Sequence, residues 1–234
     1  MERRCNRDKR LDKAALPGRG LALNVAALWE TAMLTLYDSP DSGNAYKIRL
    51  LLSHLDLDYK RVILDIDKAE TRTPQFLAKN PNGRVPALEL DDGTVLPESN
   101  AILFYFAEGT PYLPFDRLGR AQALQWMFFE QYSHEPNIAT VRYWIKHKIP
   151  VTPFIEAAMP AKRKAGYAAL DVMETHLKRR DFFVGERYSI ADIALYAYTH
   201  VAHEVDFDLK PYPAIRAWMD LVALQENHIG IDHR

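Results

Sequence analysis

Three short stretches place polar groups where a small peptide-like ligand can be held. Asn80-Pro81-Asn82-Gly83-Arg84-Val85-Pro86 carries two prolines and a glycine, so it cannot continue the helix-like pattern before it. It runs straight into Ala87-Leu88-Glu89-Leu90, which reads as a strand. Pro86 has no backbone N–H, but Val85 keeps both its N–H and its C=O, so a ligand laid beside this corner can be hydrogen-bonded like an added strand. Glu98-Ser99 opens the next helix-like run, where free N–H groups and the positive end of the helix dipole form a seat for a carboxylate. Ser42 lies between the first strand and the first helix, where a loop residue faces a ligand held by Val85; a serine there also caps helices.

The elements that position these groups follow from periodicity and punctuation. Thr35 to Tyr37 predicts a strand, and Ala45 to Leu55 an amphipathic helix with Ile48, Leu51, Leu52 and Leu55 at helical spacing. Tyr59 to Leu64 alternates like a second strand, and Glu70 to Lys79 predicts a helix that stops at Asn80-Pro81. Ala87 to Leu90 and Thr94 to Leu96 flank Asp91-Asp92-Gly93, a hairpin pattern. The order βαβαββα implies a mixed sheet with helices packed on it. Glu108 to Pro114 is rich in turn residues and reads as a linker. Beyond it strand signals nearly vanish, and residues 117–145, 160–180, 189–204 and 212–224 read as helices, the first bent at Pro136. Pro160 suits the first turn of its helix.

The expected organisation is an extension at 1–32, an α/β domain at 33–108, a linker at 109–115 and an all-helical domain at 116–234. Length alone permits two domains, since domains run to about 100–150 residues and the chain has 234. A net charge of −1 argues against a nucleic-acid footprint and leaves a small molecule as the default partner. The lone cysteine, Cys5, excludes an internal disulfide framework or a thiolate metal cluster and suits a reducing, cytoplasmic setting. No apolar run approaches the ~20 residues that span a bilayer. Residues 1–32 crowd Arg3, Arg4, Arg7, Lys9, Arg10, Lys13 and Arg19 into a stretch of little periodicity. They read as a disordered tail or as residues upstream of a misread start at Met33; Glu2, Asp8 and Asp12 go against a transit peptide.

The Val85-Pro86 corner followed by Glu98-Ser99 resembles the glutathione-binding half of the glutathione S-transferases, above all their serine-type members. The likeness extends to Leu34-Thr35-Leu36-Tyr37, to Ser42 through Leu50, and to Phe183-Val184-Gly185-Glu186-Arg187-Tyr188-Ser189-Ile190-Ala191-Asp192. It implies a thioredoxin-like N-terminal domain followed by an all-helical C-terminal domain. It also implies that Val85, before a cis-Pro86, holds the cysteinyl backbone of glutathione, that Glu98 and Ser99 hold its γ-glutamyl end, and that Arg84 takes the glycyl carboxylate. Ser42 would then be the catalytic residue, its hydroxyl donating to the sulfur and favouring thiolate, with Tyr37 the runner-up. A histidine that such relatives carry early in the second helix is replaced by Thr71. Glutathione would be a cosubstrate, with no cofactor or metal, and a small apolar electrophile would be the acceptor. A homodimer follows by the same resemblance. The alternative is a binding or interaction module that keeps the fold without catalysis; a glutathione-dependent isomerase is a third reading, weakened by the missing Ser-Ser-Cys start.

Three further groups carry competing readings. Tyr132, His134 and Arg142, with Tyr143 and Trp144, form an aromatic and polar mixture that could line an acceptor pocket, although aromatic residues at helical spacing are more often core. His200 and His203 can share a helix face, but neither H-E-x-x-H nor a third spaced ligand accompanies them. Ser189-Ile190-Ala191-Asp192 has the form of a capping box and is expected to be structural.

Overall fold

The computed structural model describes residues 33–233; the expectations for residues 1–32 lie outside the described residues. Strand β1 (Leu34–Asp38) buries Leu34 and Leu36 on one face, as its alternation requires. It pairs in parallel with β2 (Tyr59–Ile63) and antiparallel with β3 (Ala87–Glu89), which pairs antiparallel with β4 (Val95–Pro97). The sheet order is β2-β1-β3-β4. The parallel step is made by helix α1 (Gly43–His54), which begins two residues earlier than expected because the Ser42 side chain accepts the Ala45 N–H and fixes the first turn. Expected as one helix, Glu70 to Lys79 is instead a 3₁₀ turn (Glu70–Arg72) and helix α2 (Pro74–Lys79). The residue before a proline avoids the helical region, and Thr73 is extended at φ −67, ψ 147. Helix α3 (Ser99–Ala107) completes a thioredoxin-like half.

The second half is helical. Helix α4 (Arg117–Phe129) passes through a π turn (Glu130–His134) into α5 (Glu135–Lys146). The expected bend at Pro136 is realised just upstream of it: proline cannot donate to the carbonyl four residues back and its ring crowds it, so the ladder widens to π geometry. Asn137 Nδ2 donates to the Ser133 carbonyl at 2.7 Å within the same widened turn. Helix α6 (Pro153–Leu177) starts seven residues before the expected position, with Thr152 as cap and Pro153 in the first turn; Pro160 is inside the helix, not at its start. Helices α7 (Ile190–Thr199) and α8 (Pro213–Ala223) flank a short 3₁₀ turn (Ala202–Val205), where a single helix to 204 was expected.

One hydrophobic core runs through both halves, joining Leu36, Ile48 and Leu88 to Ile190, Leu195 and Trp218. Charge is also buried at the seam. Lys47 of α1 and Glu130 of the π turn are both 0% exposed and meet at 2.9 Å, and Asn100 Nδ2 donates to the second Glu130 oxygen at 3.1 Å. Removing either charge alone from such a pair costs about 3–5 kcal/mol, because its partner stays buried without compensation. After α8 the chain folds back over α1. The Tyr46 hydroxyl donates to the Ile229 carbonyl at 2.7 Å and Arg49 Nη1 to the Ile231 carbonyl at 2.8 Å.

Candidate functional site

The β3 corner and the starts of α1 and α3 converge on a cleft between the halves. The Val85-Pro86 bond is cis. Asn80 braces the loop before it: Nδ2 donates to the Arg84 carbonyl at 2.8 Å and Oδ1 accepts the Asn82 N–H at 3.2 Å. Gly83 is required here, since at φ +61 an added Cβ would lie 2.9 Å from the Thr71 carbonyl oxygen. Glu98, the cap of α3, has φ 71 and makes no side-chain capping bond, so its carboxylate remains for the cleft. A non-glycine residue at positive φ costs about 1–3 kcal/mol and persists where the surroundings fix it, often at functional sites.

A cavity of about 400 Å³ lies between Val85, Pro86, Glu98 and Ser99 on one side and Gln131, Glu135, Pro136 and Thr140 on the other. Asn44, Arg84, Val85, Glu135 and Thr140 also line a second cavity of about 460 Å³, bounded by Ser42, Thr71, Arg72, Arg142, Tyr143, Lys146, His147 and Tyr198. Ser42, Arg84, Val85, Pro86, Glu98 and Ser99 are therefore brought together around one cleft. Ser42 Oγ accepts the Ala45 N–H at 3.2 Å, which leaves the hydroxyl proton free to donate to a ligand.

Two residues that sequence reasoning missed stand beside Ser42. Asn44 lines both cavities; its Nδ2 donates to Glu135 at 3.3 Å and its Oδ1 accepts the Ser99 hydroxyl at 3.3 Å. The Asn44 N–H donates to the Tyr198 hydroxyl at 3.3 Å, and burial pushes that phenol's pKa up, so it stays protonated and can donate in turn. Tyr198 packs so tightly on Gly43 that a Cβ there would meet its ring at 2.7 Å. Asn44 was visible as a polar residue in the first turn of α1. Tyr198 was not, because in Ile193-Ala194-Leu195-Tyr196-Ala197-Tyr198 it reads as core.

Other expected positions fall elsewhere. The Tyr37 hydroxyl donates to Glu89 at 2.6 Å and its ring packs on Phe76, outside both cavities. Alternation along β1 sets Tyr37 on the face opposite the buried Leu34 and Leu36. Tyr132 is 88% exposed and lines neither cavity; His134 is 0% exposed, bonded through Nε2 to Thr199 at 2.9 Å. The π turn sets this: it swings Glu130 and His134 inward and Tyr132 outward. Of the three residues assigned to the acceptor pocket, Arg142 alone lines the cleft. Thr71 is buried and lines it too, and Arg84 makes no ion pair among the described residues. His200 stacks on Tyr196, and among the described residues no three His, Cys, Asp or Glu side chains gather to hold a metal. The lining of the second cavity is mixed, with Ile66, Ala69 and Ala139 set among Arg142, Tyr143, Lys146 and His147.

A thioredoxin-like half joined to a helical half, with a backbone corner, a helix start and a hydroxyl facing one cleft, defines a glutathione-transferase-like architecture. Residues 32–108 match the model for the glutathione S-transferase N-terminal domain and residues 134–226 that for the C-terminal domain; the chain belongs to the glutathione S-transferase family. It is similar to the crystal structure of a glutathione S-transferase from Pseudomonas fluorescens, with 50% identity, a TM-score of 0.81, and coverage of 85% of this chain and 98% of that one. It is 32% identical over 197 residues to the disulfide-bond oxidoreductase YfcG of Escherichia coli, covering 81% of this chain and 90% of the relative. With protein URE2 of Eremothecium gossypii it shares 31% identity over 224 residues, covering 79% of this chain and spanning 63% of the relative's length. Among the described residues no helix is long and apolar enough to cross a membrane.

Proposed function

We propose that this chain is a glutathione transferase that activates the thiol of glutathione for attack on a small electrophile. Glutathione lies along the cleft with its γ-glutamyl end at Glu98 and Ser99, its cysteinyl backbone on Val85 and its glycyl carboxylate near Arg84. The observation that carries the reading is the convergence of these groups with the start of α1, where Ser42 has an uncommitted hydroxyl proton. A free thiol with pKa ~8.5 is only a few per cent ionised at pH 7, and lowering it by ~2 units takes about 2.7 kcal/mol of differential stabilisation. A hydrogen bond to a charged acceptor contributes roughly 1.5–3 kcal/mol, so Ser42 together with the helix start is sufficient. The acceptor is a small electrophile with apolar and polar parts, in keeping with the mixed lining. The chain acts in the cytoplasm as a homodimer, needs no metal or prosthetic group, and takes glutathione as cosubstrate.

A second reading has the same thiolate attack a disulfide. One sulfur of the disulfide joins glutathione, the other leaves as thiolate, and a second glutathione resolves the mixed disulfide by the same exchange. The charged and polar residues of the mixed lining and the similarity to a disulfide-bond oxidoreductase favour it, and it requires no enzyme cysteine.

The deciding experiment combines retention on immobilised glutathione, conjugation of an aryl halide and reduction of a small disulfide. Each is followed by pH-rate profiles of wild type, Ser42→Ala, Asn44→Ala and Tyr37→Phe at saturating glutathione. Ser42→Ala is expected to lower turnover ten-fold or more at neutral pH and to move the acid limb up by about 1.5 units, with Tyr37→Phe unchanged. A shift in Asn44→Ala alone transfers the sulfur contact to Asn44. Retention without either reaction means a binding module.

A further inference from the structure

The turn that presents Ser42 is gripped from both halves of the molecule by buried arginines. Ser39 to Ser42 is closed by a Ser42 N–H to Ser39 carbonyl bond of 2.9 Å, which leaves the Pro40 and Asp41 carbonyls facing outward. Arg49 of α1 donates from Nη2 to the Pro40 carbonyl at 3.1 Å. Arg142 of α5 donates from Nη1 to the Asp41 carbonyl at 2.7 Å, while its Nε donates to Glu204 at 2.8 Å. Arg142 is 4% exposed, and its Nη2 has no hydrogen-bond partner among the described residues. Lys146, one helical turn further along α5, pairs with the Asp41 carboxylate at 3.0 Å and reaches Glu204 at 3.6 Å.

This arrangement is expensive as mere glue. Guanidinium groups held out of water lose hydration that their ion pairs only partly restore, and an unpaired N–H adds to the loss. Apolar contacts between α5 and the turn would join the halves at lower cost, so the pairing is best understood through what it fixes. Two consecutive carbonyls, each held by a planar fork from a different half, leave the peptide planes of the turn little freedom to rotate. The next residue is Ser42, whose side chain caps α1 and faces the cleft. We infer that Arg142, anchored by Glu204, is a positioning residue that sets the Ser42 hydroxyl and the first turn of α1 against the glutathione sulfur. The helical half thereby contributes to thiol activation without touching the thiol.

The inference rests on the proposed thiol activation, and its test separates the two. Arg142→Met and Arg142→Lys are compared with wild type, alone and with Ser42→Ala, by turnover at saturating glutathione, KM for glutathione, pH-rate profile and thermal unfolding. Arg142→Met is expected to cut kcat about ten-fold and to raise the acid limb by about one unit, with KM for glutathione within two-fold. Arg142→Lys keeps the charge but cannot hold Glu204 and the Asp41 carbonyl together; it restores the melting temperature while keeping the shifted profile. In the Ser42→Ala background, Arg142→Met produces no further shift, since residues acting as one unit are non-additive. An unshifted profile, or additive losses that track the melting temperature, overturns the inference and leaves Arg142 as a structural tie. If wild type neither conjugates nor reduces disulfides, the functional reading fails, and amide hydrogen exchange still decides the positioning claim. Faster exchange at 42–45 with unchanged exchange in α3 supports it, and uniform exchange overturns it.

Discussion

Asp192 illustrates how much one buried carboxylate can organise. Its Oδ1 accepts the Phe183 N–H and the Trp218 indole N–H, both at 3.0 Å, and its Oδ2 accepts the Ser189 N–H and hydroxyl, both at 2.9 Å. The capping box read from Ser189-Ile190-Ala191-Asp192 is present, but the bonds to Phe183 and Trp218 join the preceding loop and α8 and were invisible in the sequence. Burial raises the acid to about 6, with all four hydrogen bonds pulling back towards the charged form. Asp192→Ala strands these donors in the core, so denaturant unfolding is expected to show a loss of about 2–4 kcal/mol, above the loss of a cap alone. Glutathione affinity of the folded fraction should persist; selective loss of affinity at unchanged stability would assign Asp192 to the site instead. The cleft was legible to a similar depth. Val85, Glu98, Ser99 and Ser42 announce themselves through proline, helix starts and turn chemistry, which are local. Asn44, Glu135 and Tyr198 meet through pairings more than ninety residues apart, and no periodicity encodes those.

Elements were legible where local chemistry and burial agree. The strands, α1 and the hairpin carry alternation, a cap or an Asp-Gly turn, and the structure places each within one or two residues of expectation. The start of α6 was missed because Ile155 is the one buried residue in its first turns, so the apolar period that marks a helix does not begin until later. Pro160 then attracted the start signal. In the helix it removes the bond that residue 160 would donate to the Glu156 carbonyl, at an exposed position where no packing depends on the ring. Proline is about 3 kcal/mol poorer than alanine in a helix interior, and the added freedom of the unfolded chain returns only about 0.4–1 kcal/mol of that difference. Pro160→Ala is therefore expected to stabilise the protein by about 1–3 kcal/mol in urea unfolding, with glutathione binding unaltered. No gain, or a loss, would mean that α6 needs the interruption to reach both α5 and α8.

At the scale of the whole molecule, the contacts between elements are built with titratable groups held in the wrong state for acid, both at the seam between the halves and inside the helical half. Burial lowers His54 to about 4, His134 to about 3 and His200 to about 4, and each is placed between elements: His54 against Tyr188 and the Glu226 carbonyl, His134 against Thr199, and His200 against Tyr46 and Tyr196. As pH falls below 6.5, the unfolded chain protonates these rings while the folded chain does not until about pH 4, so stability is lost across that window. Asp192 acts in the opposite sense. Raised to about 6 from 3.8, it binds its proton first in the folded state and adds stability as pH falls between those values, and Glu130 is shifted in the same direction by burial. Each proton of difference is worth about 1.4 kcal/mol per pH unit, and between pH 6.5 and 6 the three histidines outweigh the partly protonated Asp192. Urea midpoints measured at pH 7, 6 and 5 should therefore fall steadily. The Thr199 hydroxyl donates to the Leu195 carbonyl at 2.7 Å, so His134 must donate to it, and His134→Gln can supply that donor without titrating. The variant should retain most of the stability at pH 7 and flatten the acid slope by about 1.4 kcal/mol per unit. Midpoints that rise towards pH 5 would show that the buried carboxylates govern the seam.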